Sequence, residues 1–252
     1  MNKCFIGVLA FAFILVAAGA AQAEFIAYND FGGAFDGGNV TQIANTESGF
    51  IAARTVLSGT LQDYTTGLST DVLMTVSVAA DPSGGALTEG TPAYGYFNGK
   101  VNVDGYIFNS RIHPCTITFT NLDPAQLYHL VLFGDAGIAG ATNQNIYTIQ
   151  GALSFTNNSS GVISGASNET ATMASGDNTA TGYVADFADI APAADGSFSL
   201  RLTGTGGNGL WFLNALMLET GIQVGGPSGD VPEPATLSLL ALGLPLVLRR
   251  RR

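Results

Sequence analysis

The sequence predicts an all-β fold, an antiparallel β-sandwich, for residues 24–224. Three observations carry that expectation. Short apolar runs recur along this stretch, bounded by Gly, Asn, Asp and Pro. Two of the runs alternate strictly. Cys115, Ile117 and Phe119 interleave with Thr116, Thr118 and Thr120, and Phe198, Leu200 and Leu202 interleave with Ser199, Arg201 and Thr203. A period of two buries one face and wets the other, as in antiparallel strands. Finally, helical periodicity is weak throughout, while Thr, Ser, Gly and Asn are abundant.

The expected strands are 25–31, 49–57, 72–79, 93–97, 106–109, 115–120, 127–133, 146–149, 151–155, 182–187, 197–203 and 210–218. Residues 127–133 are apolar on both faces, which predicts a central strand. Residues 210–218 are so apolar that they must lie between other strands, beside 25–31 at the opposite end of the domain. No repeat of fixed period occurs, which argues against a β-helix or a propeller.

The turn between 115–120 and 127–133 is more specific. Leu122, Pro124 and Tyr128 follow a Leu-x-Pro-x-x-x-Tyr spacing. This resembles the tyrosine corner of fibronectin type III and related sandwiches, which implies a Greek-key crossing with the Tyr hydroxyl bonded back to the backbone. The domain is about twice the length of one such module, so a jelly-roll fits better. Two strand-rich halves are the alternative. The pattern of 210–219 is similar to the closing strand of galactose-binding-like jelly rolls.

Both ends of the chain read as sorting signals rather than as fold. Residues 1–23 form a signal peptide: Lys3 is basic, 5–18 is apolar apart from Gly7, and Ala21 and Ala23 supply small residues before the cut. Cleavage by signal peptidase after export through the Sec machinery would leave Glu24 first. The apolar run is shorter than the roughly 20 residues of a spanning helix. An N-terminal anchor is the alternative. Cys4 precedes the apolar run, so it does not occupy a lipidation position.

The C-terminal end has three parts in order. Residues 225–230 are a flexible Gly/Pro/Ser spacer. Val231, Pro232, Glu233 and Pro234 form a stiff extended motif. An apolar stretch, 235–248, then leads to Arg249, Arg250, Arg251 and Arg252. As a helix this short transmembrane segment would rise about 20 Å against a hydrocarbon core of about 30 Å. The arginines would stay on the cytoplasmic side and snorkel to extend its reach. Residues 231–252 closely resemble the PEP-CTERM sorting signal, with Pro245 as the one departure. The resemblance implies recognition by an exosortase and cleavage near Pro232–Pro234. It also implies a Gram-negative host that makes exopolysaccharide, with the protein passing through the inner membrane to the cell envelope, surface or matrix. A permanent tail anchor is the alternative.

Removing the ends changes the charge. The chain has nine basic and nineteen acidic residues. Residues 24–248 keep four basic residues (Arg54, Lys100, Arg111 and Arg201) against all nineteen acidic ones, a net charge of −15. Such a body repels nucleic acid. Cys115 alone survives maturation, which excludes an internal disulfide; its strand position predicts burial.

The pattern contains no catalytic motif. Gly161-Val-Ile-Ser-Gly165 puts its serine one place too late for a nucleophile elbow. His113 is expected in a loop and His129 packed within a strand. Asp30 and Asp135 sit beside glycines at strand ends, where jelly-roll loops can hold a structural calcium ion; an ordinary turn is the alternative. Tyr94 and Tyr96 lie in a glycine-flanked stretch and are the candidates for stacking on sugar rings. Trp211 is expected in the core. Thr-x-Thr triplets at Thr116, Thr170, Thr179 and Thr203 are spaced irregularly along the chain, so an ice-binding array is not implied. The leading expectation is therefore a non-catalytic surface or matrix protein, needing no cofactor, whose sandwich binds polysaccharide or packs with other envelope components. A hydrolase with a hidden carboxylate pair is the rival, and ice binding a more distant alternative.

Overall fold

In the computed structural model, residues 24–32, 38–44, 51–81 and 85–220 are described. The expected signals at 1–23 and 231–252 lie outside them. The last described strand ends at Thr220. Among the described residues no helix is long and apolar enough to cross a membrane.

The strands in chain order are β1 (Ile26–Asp30), β2 (Ile51–Gln62), β3 (Ser69–Asp81), β4 (Tyr106–Ser110), β5 (Cys115–Thr120), β6 (Tyr128–Phe133) and β7 (Gln144–Gln150). They continue with β8 (Ser154–Asn157), β9 (Val162–Ser164), β10 (Thr170–Ala174), β11 (Val184–Ala191), β12 (Phe198–Thr205), β13 (Leu210–Leu213) and β14 (Ala215–Thr220). One helix, α1 (Pro92–Phe97), lies between β3 and β4. The fold is all-β, as expected. A five-stranded sheet has the order β1-β14-β6-β11-β8. A nine-stranded sheet runs β13-β4-β3-β5-β12-β7-β10-β9, with β2 also paired to β3. The paired strands are antiparallel.

The alternating segments explain the main core. Ile117 and Phe119 of β5 and Leu200 and Leu202 of β12 point inward from the nine-stranded sheet. Leu130 and Leu132 of β6, Phe187 of β11 and Leu216 and Leu218 of β14 come from the five-stranded sheet into the same cluster. Phe119 and Phe198 pack at 5.0 Å between ring centroids. Each fully buried side chain of this size contributes about 1.5–3 kcal/mol. Cys115 is buried in this core, and desolvation pushes its thiol up to about 12.

The five-stranded sheet is covered on its other face too. Tyr28, Val131, Phe133, Val184 and Met217 form a second cluster with Ala93 and Phe97 of α1 and with Val101 and Val103. This double burial is why 127–133 reads as apolar on both faces. The expected central position holds, because β6 runs between β14 and β11. The expected closure also holds: β14 pairs with β1, Met217 opposite Tyr28.

The tyrosine corner is present. The backbone N–H of Asp123 donates to the Tyr128 hydroxyl at 2.8 Å. Tyr128 is fully buried, and burial raises its hydroxyl to about 12.

Three expectations are corrected. Residues 93–97 are helical, not a strand. Thr91 caps the helix by accepting from the Tyr94 N–H, Pro92 occupies its first turn, and Ala93 and Phe97 are buried four apart. The aromatic content of Tyr94, Tyr96 and Phe97 hid that start signal. Residues 210–218 are two strands in different sheets, broken at Asn214. Two strands, β9 and β10, lie where none was expected; β9 is exposed along its length and carries no alternation to detect.

Asn214 is where the chain changes sheets. Its N–H donates to Phe133 O at 2.9 Å, and its carbonyl accepts from Phe31 N at 3.0 Å. Its side chain accepts from Asp135 N at 2.7 Å and donates to Val103 O at 2.8 Å. The residue is fully buried. Asn214→Ala would strand buried backbone groups of Asp135 and Val103. An unfolding free energy lower by about 2–6 kcal/mol is expected by urea denaturation, since each of the two stranded groups costs about 1–3 kcal/mol.

Candidate functional site

The wet remainder of the five-stranded sheet's outer face holds a row of ionisable groups. Outward residues on β6 alternate as His129, Val131 and Phe133, and the last two lie in the apolar cluster near α1. His129 lies beyond it. Glu219 of β14 is its direct cross-strand neighbour. Asp186 of β11, opposite Val131, reaches it diagonally.

His129 Nδ1 lies 2.9 Å from Glu219 Oε1, and Nε2 lies 2.9 Å from Asp186 Oδ1. Ionised carboxylates only accept, so both ring nitrogens donate and the ring is an imidazolium. Burial works against that charge. The hydrogen bonds and charges of Asp186 and Glu219 outweigh it, raising the pKa from 6.5 to about 9. The side chains of His129 and Asp186 are 18% and 13% exposed, and that of Glu219 is 31%.

The helix closes one side of this row. Tyr96 donates its hydroxyl to Asp186 Oδ2 at 2.9 Å, and its ring meets the His129 ring edge-on at 6.0 Å. Desolvation, then Asp186, raises the Tyr96 pKa. Lys100 donates to Tyr96 O at 3.1 Å and sits 5.3 Å from the centroid of the Tyr28 ring. Asp186 thus joins the helix to the sheet through Tyr96 and His129.

This geometry limits the chemistry. Both imidazole nitrogens are engaged, so His129 has no lone pair for a metal. Asp186 and Glu219 approach opposite sides of the ring, and the imidazole fills the gap where a glycosidic bond and a water would have to sit. Among the described residues, no group of three or more His, Cys, Asp or Glu side chains could hold a metal ion.

The other sequence candidates are dispersed. Tyr94 and Tyr96 are both on α1 and partly buried. Tyr96 belongs to the ionic row; Tyr94 does not. Asp30 and Asp135 are fully buried. Asp30 accepts from Gly32 N at 2.9 Å. Asp135 Oδ1 accepts from Gly137 N at 3.0 Å and Asn178 N at 2.9 Å, and Oδ2 accepts from Thr179 Oγ1 at 2.6 Å. Protein donors fill these positions of the Asp135 carboxylate, and it organises loops around Asn214. Gly134 must be glycine there, because a Cβ would collide with Phe212 O and Asn145 Nδ2. Glu24 is exposed. Ala21, Ala23, Val231, Pro232, Glu233, Pro234 and Arg249 to Arg252 fall outside the described residues. His113 is in a loop, and its carbonyl accepts from Trp211 Nε1 at 3.1 Å. Trp211 is fully buried, as expected.

The threonine triplets divide. Thr179 and Thr181 are used internally, by Asp135 and Asn178. The others meet across strands on the wet face of the nine-stranded sheet. Ser199 lies opposite Thr118 on one side and Gln150 on the other, and Thr118 lies opposite Thr75. One row along, Arg201 lies between Thr116 and Thr148, and Thr148 faces Thr170. Irregular chain spacing thus becomes regular cross-strand pairing, which no local pattern reveals. Asp186 and Glu219 were missed for the same reason, being 57 and 90 residues from His129. The available signal was a histidine within an apolar strand, which needs a partner.

No family model matches the chain, and no curated protein or solved structure matches it significantly.

The raised pKa of His129 sets the sign of a pH effect. Its contribution to stability is complete below the unfolded pKa of 6.5 and is lost as pH rises through about 9. Relative to His129→Gln, the native protein is expected to lose its stability advantage across that window. Urea denaturation at a series of pH values measures the difference; one that stays constant contradicts the imidazolium assignment.

Proposed function

We propose that this chain is an exported surface or extracellular-matrix protein of a Gram-negative bacterium, trimmed at both ends, whose β body binds polysaccharide without catalysing a reaction. The observation that carries the reading is the tail: Pro232-Glu233-Pro234, an apolar stretch and four terminal arginines, in the order of a PEP-CTERM signal. Exosortase is the partner that this tail implies, with signal peptidase and the Sec machinery at the other end.

The construction of the body supports removal of both ends. Phe25 N donates to Thr220 Oγ1 at 3.0 Å, and Thr220 N donates to Phe25 O at 3.0 Å. These mutual bonds close the first and last strands on each other. The described cores fall within residues 25–218. A cut after Ala23 or near Pro232–Pro234 therefore spares every core residue among them. The order β1-β14-β6-β11, with first and last strands adjacent, supports a jelly-roll winding.

The non-catalytic part of the reading is supported by His129, whose two nitrogens are both held by carboxylates. A structural calcium ion is not required by Asp135, whose carboxylate already has three protein donors.

Intact mass of the protein from its native cell tests the processing. It is expected to begin at Glu24 and to end near Val231–Pro234. Deleting the host exosortase should leave the tail attached; unchanged processing would sink the sorting assignment.

A further inference from the structure

The wet face of the nine-stranded sheet differs in charge from the rest of the body. Its outward residues on β5, β12 and β7 include no carboxylate, and the exposed Asp71 of β3 lies at the far end of the face, two residues beyond Leu73, which pairs with Thr120; residues 24–248 as a whole carry nineteen acidic side chains against four basic ones. Among the described side chains, two cations belong to this face. Arg201 lies in its middle, directly between Thr116 and Thr148. Arg111 is exposed at its rim, where its carbonyl accepts from Thr203 Oγ1 at 3.2 Å. Neither arginine has an ion-pair partner among the described residues. Lys100, by contrast, is engaged at the other sheet with Tyr96 and Tyr28.

A guanidinium presents a planar fork of donors that matches a carboxylate two bonds at a time. Around Arg201, side-chain hydroxyls can donate or accept. They recur across strands at about 4.8 Å and along each strand at about 7 Å. A lone cation inside a hydroxyl field fits a polymer that is mostly hydroxyl with spaced negative groups. We propose that this face binds an acidic polysaccharide. A sugar carboxylate takes the Arg201 fork, and Thr116, Thr118, Thr148 and Ser199 bond neighbouring sugar hydroxyls. The body's acidic loops oppose the polyanion at long range, but at physiological ionic strength that repulsion is screened beyond about 8 Å. Contact at Arg201 is local and lies inside that distance. The proposal rests on the polysaccharide reading above, and moves its site from Tyr94 and Tyr96 to the opposite sheet.

Affinity gel electrophoresis of the purified full-length chain in mild non-ionic detergent tests it, with polygalacturonate and neutral dextran as probes. Retardation by polygalacturonate and not by dextran is expected. Arg201→Gln should weaken it about tenfold or more, the loss of one charge-assisted contact. Arg201→Lys should recover only part, since an ammonium lacks the fork. Lys100→Gln should leave retardation unchanged. Equal binding of dextran that Arg201→Gln does not alter would overturn the acidic-glycan site and leave the general polysaccharide reading standing. No retardation by any polysaccharide would overturn both. Inhibition of ice growth that Thr118→Lys abolishes, without glycan binding, would assign the face to ice and overturn the proposal.

Discussion

One buried asparagine holds the two sheets in relation to each other. Asn214 stands between β13, which pairs with β4, and β14, which pairs with β1 and β6. At a change of sheet the ladder must break, and the broken backbone groups are buried. Every such group needs a partner or costs about as much as a lost hydrogen bond. Asn214 meets this with bonds to Phe133, Phe31, Asp135 and Val103. A side-chain amide both donates and accepts, so one residue, with its own backbone, can join three segments, around Phe31, Val103 and Phe133–Asp135. Asn145 has a similar role next to it, bonding both Phe212 N and Phe212 O.

The switch at Asn214 makes the five-stranded sheet central. With β14 between β1 and β6, the sheet buries one face in the main core and the other beneath α1. The helix has only six residues and covers only part of that face. Beyond it, His129, Asp186 and Glu219 remain partly wet and satisfy one another. The nine-stranded sheet has a different balance. It buries one face; its other face is buried at the β13–β4 end by Phe212 and Tyr106 and carries hydroxyls around Arg201 on β5, β12 and β7. The two outer faces of the body therefore offer opposite chemistry: a compensated ionic row tied to a helix, and an arginine without an ion-pair partner among the described residues, set among hydroxyls.

Much of the fold is legible residue by residue. Cys115, Ile117, Phe119, Phe198, Leu200 and Leu202 alternate because each strand has one wet face, and they are buried as that pattern requires. Tyr128 follows Leu122 at the spacing of a sheet-to-sheet crossing, and its hydroxyl meets Asp123. Other elements were concealed. The apolar run 210–218 reads as one strand, because burial in two different sheets leaves the same composition as burial in one. The 93–97 segment reads as a strand, because its aromatic side chains outweigh the Thr91–Pro92 start. The partners of His129 have no fixed spacing from it and arise only when β11 and β14 flank β6.

By itself, the sequence determined the all-β class, the acidic charge of the body, and the burial of Cys115, Trp211 and the alternating residues. These depend on composition and on periods of two to seven residues, which the chain carries locally. Only the tertiary structure decided which sheet each half of 210–220 joins, which carboxylates hold His129, and that scattered threonines surround Arg201. Those facts depend on strand order and register. Register is set by how distant apolar faces pack together, and no local segment contains that information.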